Sequence, residues 1–261
     1  MKERKQVLKV QDLVIRFGGL CAIDHVSIHV DEGDFVGLIG PNGAGKTTFF
    51  NSITGNLVPS DGKITFLEKS LIKKDPAQIS HMGISRTFQN IRIFPKMSVL
   101  ENVSIPLHSQ PTYNVFSAIL GLPSAKREDV RVREEAMEYL HCLGIDEYKD
   151  YQASTLPYGL QRRLEIARAL AAHPKLLLLD EPAAGMNNDE CAELVTLLKF
   201  IQSRYQLTVV LIEHHMDVVL NLCNRIYVLN LGKLLAEGSS QEIQSNPEVI
   251  RAYLGERRKK S

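Results

Sequence analysis

Apolar and polar positions change period several times along the chain, and those changes divide it. From Val7 to Phe17 and from Val26 to Val30 the two kinds alternate, the mark of strands with one buried face. Phe35-Val36-Gly37-Leu38-Ile39 is apolar throughout, as expected of a strand covered on both faces. A helical spacing runs from Thr47 to Thr54, with Gly55 placed to end it. Val58 to Gly62 is rich in turn residues, and Lys63 to Leu67 resumes strand character.

The middle of the chain reads differently. Between about Phe94 and Tyr158 strand signals are few. Val132, Ala136, Leu140 and Leu143 share one helical face, and Gly144 closes it. Gln110 to Pro123, which holds Pro111 and Gly121, predicts an irregular or short helical insert. A further helix is expected from Gly159 to about Ala172, stopped by His173-Pro174. Apolar strands return at Leu176–Leu179 and Leu207–Ile212, joined through a helix near Cys191 to Ser203. Another strand spans Arg225–Leu229, and Gln241–Leu254 reads as helical. This βαβ rhythm implies a parallel sheet with helices on its faces. The expected fold is therefore α/β in one domain. Its parallel-sheet core comes from 1–93 and 159–238, with an antiparallel β region at the N-terminal end. A helical subdomain is inserted over 94–158, and 239–261 forms a helix and a basic tail.

Composition narrows the class without choosing an activity. The 261 residues are 44% hydrophobic and 23% charged, which excludes a disordered or collagen-like chain. Thirty-one Lys+Arg against 30 Asp+Glu leave a net charge of +1, too little for a general field that recruits nucleic acid or an acidic membrane. No apolar run approaches the roughly 18 residues of a membrane span, and the basic start Met1–Lys5 leads into no signal-peptide core. Cys21, Cys142, Cys191 and Cys223 form no CxxC pair, so neither a zinc site nor a disulfide framework is indicated. The expectation is a soluble, cytosolic chain.

Chemistry enters at one segment. Gly40-Pro41-Asn42-Gly43-Ala44-Gly45-Lys46-Thr47 fits the phosphate-loop pattern GxxxxGK[ST] in full, after a buried strand and before a helix. Glycines allow the backbone to curl N–H groups inward at phosphate oxygens, and the helix adds its positive end. Lys46 is expected to reach the β- and γ-phosphates, and the Thr47 hydroxyl to ligate Mg²⁺. Asp180, ending the Leu176–Leu179 strand, is expected to hold Mg²⁺ through water. Glu181 beside it is the candidate general base for an attacking water.

With the cradle and the Asp-Glu pair in place, the chain from about Val7 to Gly255 resembles the ATP-binding subunit of an ABC transporter. The resemblance implies a phosphate-loop core of the RecA-like kind and roles for further residues. Gly40, Pro41, Asn42, Gly43, Ala44, Gly45, Lys46, Thr47 and Thr48 would line the ATP phosphates. Phe17, in Arg16-Phe17-Gly18-Gly19, matches the aromatic that stacks on adenine. Gln89, in Arg86-Thr87-Phe88-Gln89-Asn90, matches the glutamine that ligates Mg²⁺ and senses the membrane subunit. Ala184-Gly185-Met186-Asn187 is similar to the loop facing the partner ATPase, and His214 matches the histidine that contacts the γ-phosphate.

The signature segment departs from the family. Leu-Ser-Gly-Gly-Gln is here Leu156-Pro157-Tyr158-Gly159-Leu160, followed by Gln161-Arg162-Arg163-Leu164-Glu165-Ile166-Ala167-Arg168. This form, with Arg92 to Asn102 and Asn246 to Gly255, resembles the ATPases of branched-chain amino-acid uptake. Urea or amide uptake and lipopolysaccharide export use similar subunits and remain alternatives. A soluble ABC ATPase acting on nucleic acid is disfavoured by the single cradle and the absence of sustained heptads. A small-molecule kinase is disfavoured by Gly159, Gln89 and His214 occurring together. The implied partners are a second ATPase subunit (the same chain or another), two membrane-spanning permeases and, indirectly, an extracytoplasmic amino-acid-binding protein, with no nucleic acid. The implied location is the cytoplasmic face of the plasma membrane.

Overall fold

The computed structural model describes residues 5–108 and 123–257. Of the stretch read as an irregular insert, 110–122 lies outside the described residues, as does 258–261 of the basic tail. The chain forms two compact units, one from Met1–Arg86 with Lys175–Ser261 and the other from Thr87–Pro174.

The first unit contains two sheets. Strands β1 (Gln6–Phe17) and β2 (Leu20–Asp31) form a hairpin through Gly18-Gly19. Gly18 supplies the positive φ of 57° that so tight a turn requires. They join β4 (Asp61–Phe66) and the short β5 (Lys69–Ser70) in an antiparallel sheet of order β2-β1-β4-β5. The second sheet has the order β10-β9-β3-β8-β7-β6. Its strands are β3 (Phe35–Ile39), β6 (Ile84–Arg86), β7 (Leu176–Asp180), β8 (Thr208–Ile212), β9 (Arg225–Asn230) and β10 (Lys233–Gly238). All its neighbours pair in parallel except β9 and β10, which form an antiparallel edge. Every residue of β3, β7 and β8 is buried, which explains why these strands read as unbroken apolar runs.

Helix α1 (Lys46–Ile53) presents Phe49, Phe50 and Ile53 to a core shared with residues of both sheets, among them Val10, Ile64, Leu178 and Tyr227. All three side chains are fully buried, each contributing about 1.5–3 kcal/mol of transfer free energy. This burial anchors the helix behind the phosphate loop. Helix α2 (Pro76–His81) starts at an Asp75–Gln78 capping box.

Within the second unit, α3 (Val99–His108), α4 (Pro123–Cys142) and α5 (Tyr158–Leu170) pack together. Val132, Ala136, Leu140 and Leu143 are buried, as their spacing predicts. Helix α5 belongs to this unit, whereas the sequence reading ended the helical subdomain at 158 and gave 159–172 to the core. The apolar rhythm of a core-facing helix is the same in either unit, so periodicity alone could not place it.

The first unit closes with α6 (Asn188–Tyr205), α7 (Met216–Leu222), α8 (Ser240–Ser245) and α9 (Pro247–Arg257). The single helix expected over Gln241–Leu254 is two. Pro247 has no N–H to continue α8, and the Asn246 side chain accepts the Glu248 N–H at 2.9 Å. Short strand β6, edge strand β10 and helices α2 and α7 are not among the elements expected from the apolar pattern, although Asp75-Pro76 with Gln78 marks the start of α2 in the sequence. Among the described residues, no helix is long and apolar enough to cross a membrane.

Candidate functional site: a phosphate loop at converging strand ends

Strands β3, β8 and β7 lie side by side and parallel, so the segments leaving their C-terminal ends emerge at one edge of the sheet. Those segments are the phosphate loop after β3, Glu213-His214 after β8, and Asp180-Glu181 at the end of β7. Residues more than 130 positions apart in the sequence thus come to adjacent strands of one sheet.

The loop has the geometry of a backbone cradle. At Gly40 (φ 148°) a Cβ would collide with the Leu229 carbonyl of β9, and at Gly45 (φ 102°) it would lie 2.7 Å from the Ala22 carbonyl. Both positions therefore demand glycine. Gly45 is the N-cap of α1 and brings no side-chain oxygen to the N–H groups of the first turn, which contains no acidic residue. That leaves the positive end of the helix for an external anion. The buried Lys46 ammonium donates to the loop's own carbonyls, Gly40 O at 2.7 Å and Pro41 O at 2.9 Å. Pro41 and Ala44 are buried; Asn42, Gly43 and Thr47 are exposed, with Thr48 intermediate. Phe17, at the end of β1, is 49% exposed and offers a ring face. Its hairpin partner β2 carries the Ala22 and Ile23 atoms that abut Gly45, so the aromatic and the cradle belong to neighbouring segments.

Asp180 is buried, and its Oδ2 accepts from Arg86 Nη2 at 2.7 Å. The same guanidinium donates from Nη1 to Asn51 Oδ1 at 2.7 Å and to Thr54 Oγ1 at 3.3 Å. Arg86 therefore ties the end of β7 to α1. Asn51 lies four residues after Thr47, on the same face of that helix. The oxygen donors Thr47 Oγ1 and the Asp180 carboxylate are hard ligands of the kind Mg²⁺ takes. In the sequence Arg86 is only an arginine three residues before Gln89, and no local window shows that its side chain is buried. Arg86→Ala is expected to cost about 3–5 kcal/mol of unfolding free energy, because it strips a buried carboxylate of its guanidinium. Urea denaturation would check this, and a cost under about 1 kcal/mol would show the ion pair to be dispensable.

Glu181 adopts a left-handed backbone (φ 48°), with its N–H held by Ile212 O at 2.9 Å. Its Oε1 lies 2.9 Å from His214 Nε2. Tertiary structure thus joins the two residues that the sequence nominated separately. Buried Glu213 was missed. Its carboxylate accepts the N–H groups of Ala183 (2.8 Å), His214 (2.6 Å) and His215 (3.0 Å), locking the segment after β7 to that after β8. His215, to which no role was assigned, also contacts Glu213 through Nδ1 at 3.2 Å.

Gln89 and the signature segment lie in the second unit. Gln89 is exposed in an irregular stretch. Pro157 is the N-cap of α5, Tyr158 is 48% exposed, and a Cβ on Gly159 would meet nothing within 4 Å, so the start of that helix is open.

A phosphate cradle after a buried parallel strand, an Asp-Glu pair on a nearby parallel strand, and an inserted helical unit define a phosphate-loop ATPase of the cassette type. The comparisons agree. The ABC transporter family model matches residues 23–184, and that of the branched-chain amino acid ATP-binding cassette transporter matches 233–259. The chain is 46% identical over 250 residues to the high-affinity branched-chain amino acid transport ATP-binding protein LivG of Salmonella typhimurium, covering 96% of this chain and 98% of that protein. The crystal structure of the ADP conformation of MJ1267, an ATP-binding cassette of an ABC transporter, superposes with a TM-score of 0.83 at 34% identity, covering 96% of this chain and 99% of that one. The dimeric post-hydrolysis structure of the cassette MJ0796, bound to ADP and Pi, superposes with a TM-score of 0.76 at 25% identity, covering 89% and 98%. The chain belongs to the ABC transporter family, as an ATP-binding, ATP-hydrolysing subunit of its branched-chain amino-acid group.

Proposed function

We propose that this chain powers the uptake of leucine, isoleucine and valine by hydrolysing ATP on the cytoplasmic face of the plasma membrane. The observation that carries the catalytic part is the meeting of Glu181 with His214 on strands beside the phosphate loop. The substrate class is supported by the near full-length similarity to LivG and by the C-terminal match at 233–259.

In this reading the adenine stacks on Phe17, and the phosphates sit against the N–H groups from Gly40 to Thr48. Lys46 reaches the β- and γ-phosphate oxygens. Thr47 and Asp180, with Gln89, would hold Mg²⁺, which when bound neutralises phosphate charge as the γ-phosphoryl group transfers. Glu181 takes the proton of the attacking water. The water oxygen bonds to the γ-phosphorus, the bond to the β-phosphate oxygen breaks, and ADP and phosphate leave. His214 contacts the γ-phosphate and, through its 2.9 Å contact, orients Glu181.

A second ATPase subunit supplies its signature helix to each site. With Pro157 and Tyr158 in place of the family's Ser and first Gly, this chain offers the helix end at Gly159 without a serine hydroxyl. A partner carrying the intact signature would make the two sites unequal. Two permeases dock near Gln89 to Asn102, and an extracytoplasmic binding protein delivers the amino acid to them. A strain deleted for this chain should lose high-affinity uptake of labelled leucine and regain it on complementation. Unchanged leucine uptake with loss of urea uptake would transfer the subunit to the urea systems.

A further inference from the structure

The stretch from Thr87 to Arg92 has no regular secondary structure, so its peptide groups have no helix or ladder to satisfy them. Two side chains of α5 do so. Arg162 donates from Nη1 to Phe88 O at 2.7 Å and from Nη2 to Gln89 O at 2.9 Å. Glu165 Oε1 accepts the N–H groups of Phe88 at 3.2 Å and of Arg92 at 3.0 Å. The two are paired at 2.7 Å, with side chains 0% and 2% exposed. Tyr158, the first residue of α5, closes the set by accepting from Arg162 Nη2 at 3.1 Å.

A fully buried ion pair carries a heavy desolvation cost, and apolar side chains of similar volume would fill the same space as well or better. What apolar side chains could not do is grip two carbonyls and two N–H groups of one irregular segment in one register. The planar fork of Arg162 is suited to this, since it can donate along several fixed directions at once. Tyr158 stands where the signature has its first glycine. The grip therefore extends from the backbone of Gln89 to the opening residue of the signature helix.

We propose that Arg162 and Glu165 are positioning residues that clamp the Gln89 segment to the start of α5, so that a displacement of one moves the other. The proposal rests on the reading that Gln89 to Asn102 receives the membrane subunit and that the Tyr158 end of α5 faces the partner's nucleotide. Under that reading the clamp carries the permease's signal to the opposite ATP site, with both gripped segments inside the second unit.

The test is R162K in the transporter complex, reconstituted in phospholipid vesicles, with ATP hydrolysis as the readout. Lysine keeps the charge opposite Glu165 but lacks the planar fork whose two nitrogens serve Phe88 O, Gln89 O, Glu165 and Tyr158 at once. Permease-stimulated kcat should fall about tenfold, while KM for ATP, thermal midpoint and the basal rate of the isolated subunit stay at wild-type values. A proportional fall in basal and stimulated rates with a lowered thermal midpoint would mark a merely structural role and overturn the proposal, as would an unchanged stimulated rate. E165Q guards against misfolding, because its amide oxygen still accepts from Phe88 and Arg92 while the charge facing Arg162 is lost. It should lose part of the stimulation, and full stimulation in E165Q would count against the clamp. A wild-type complex showing no stimulation by its membrane subunits would overturn the docking reading itself, and the proposal with it.

Discussion

Replacing Glu181 with glutamine is expected to lower ATP turnover about a thousandfold while leaving ATP binding intact. The substitution preserves size, and its amide oxygen can still accept from His214 Nε2, which lies 2.9 Å from Glu181 Oε1 in the native chain. It removes only the ability to take a proton from water. Glu181 also holds a left-handed backbone, a conformation that costs a non-glycine residue of order 1 kcal/mol and persists where surrounding contacts impose it. The Ile212 carbonyl and the neighbouring Glu213 network supply those contacts, and neither depends on the Glu181 charge. Steady-state phosphate release, with nucleotide binding measured in parallel, separates the outcomes. Turnover within a few-fold of wild type would remove Glu181 from the role of base.

Lys46→Ala should act on both binding and turnover. In the native loop the ammonium is buried and spans two carbonyls, so it stands within the cradle. Its loss removes the one side-chain cation of the loop from the site where phosphate charge must be balanced. A decrease of about a hundredfold or more in turnover is expected, with weakened ATP affinity. The fold should tolerate the change, because the glycine geometry at Gly40 and Gly45 and the burial of Phe49 and Phe50 remain. Measured ATPase activity and thermal midpoint of the purified variant decide the matter. Retained hydrolysis would sink the assignment of Lys46.

Much of this site was legible along the chain because its parts are local. Glycine positions, the lysine and the helix start of the phosphate loop follow one another directly, and their conformational demands can be read in eight consecutive residues. The same holds for β3, β7 and β8, whose predominantly apolar runs report burial on both faces. Helix α5 was found but placed in the core, since an apolar stripe states that a face is covered and not by what. Arg86, Glu213, Arg162 and Glu165 escaped functional notice for a related reason. A charged residue in a sequence window reads as solvated, and its burial becomes visible only when the elements around it are assembled.

The sequence by itself determined that a phosphate cradle forms between Gly40 and Thr47, that Asp180 and Glu181 end an apolar strand, and that the chain has the motifs of its family in order. Those are properties of short windows, set by backbone freedom, periodicity and side-chain chemistry. Tertiary structure alone decided that β8 pairs between β3 and β7, which sets His214 against Glu181, that one guanidinium joins Asp180 to α1, and that a buried pair holds the Gln89 segment to the signature helix. Strand order and buried ion pairs depend on contacts between residues distant in the chain, and no local window contains both partners.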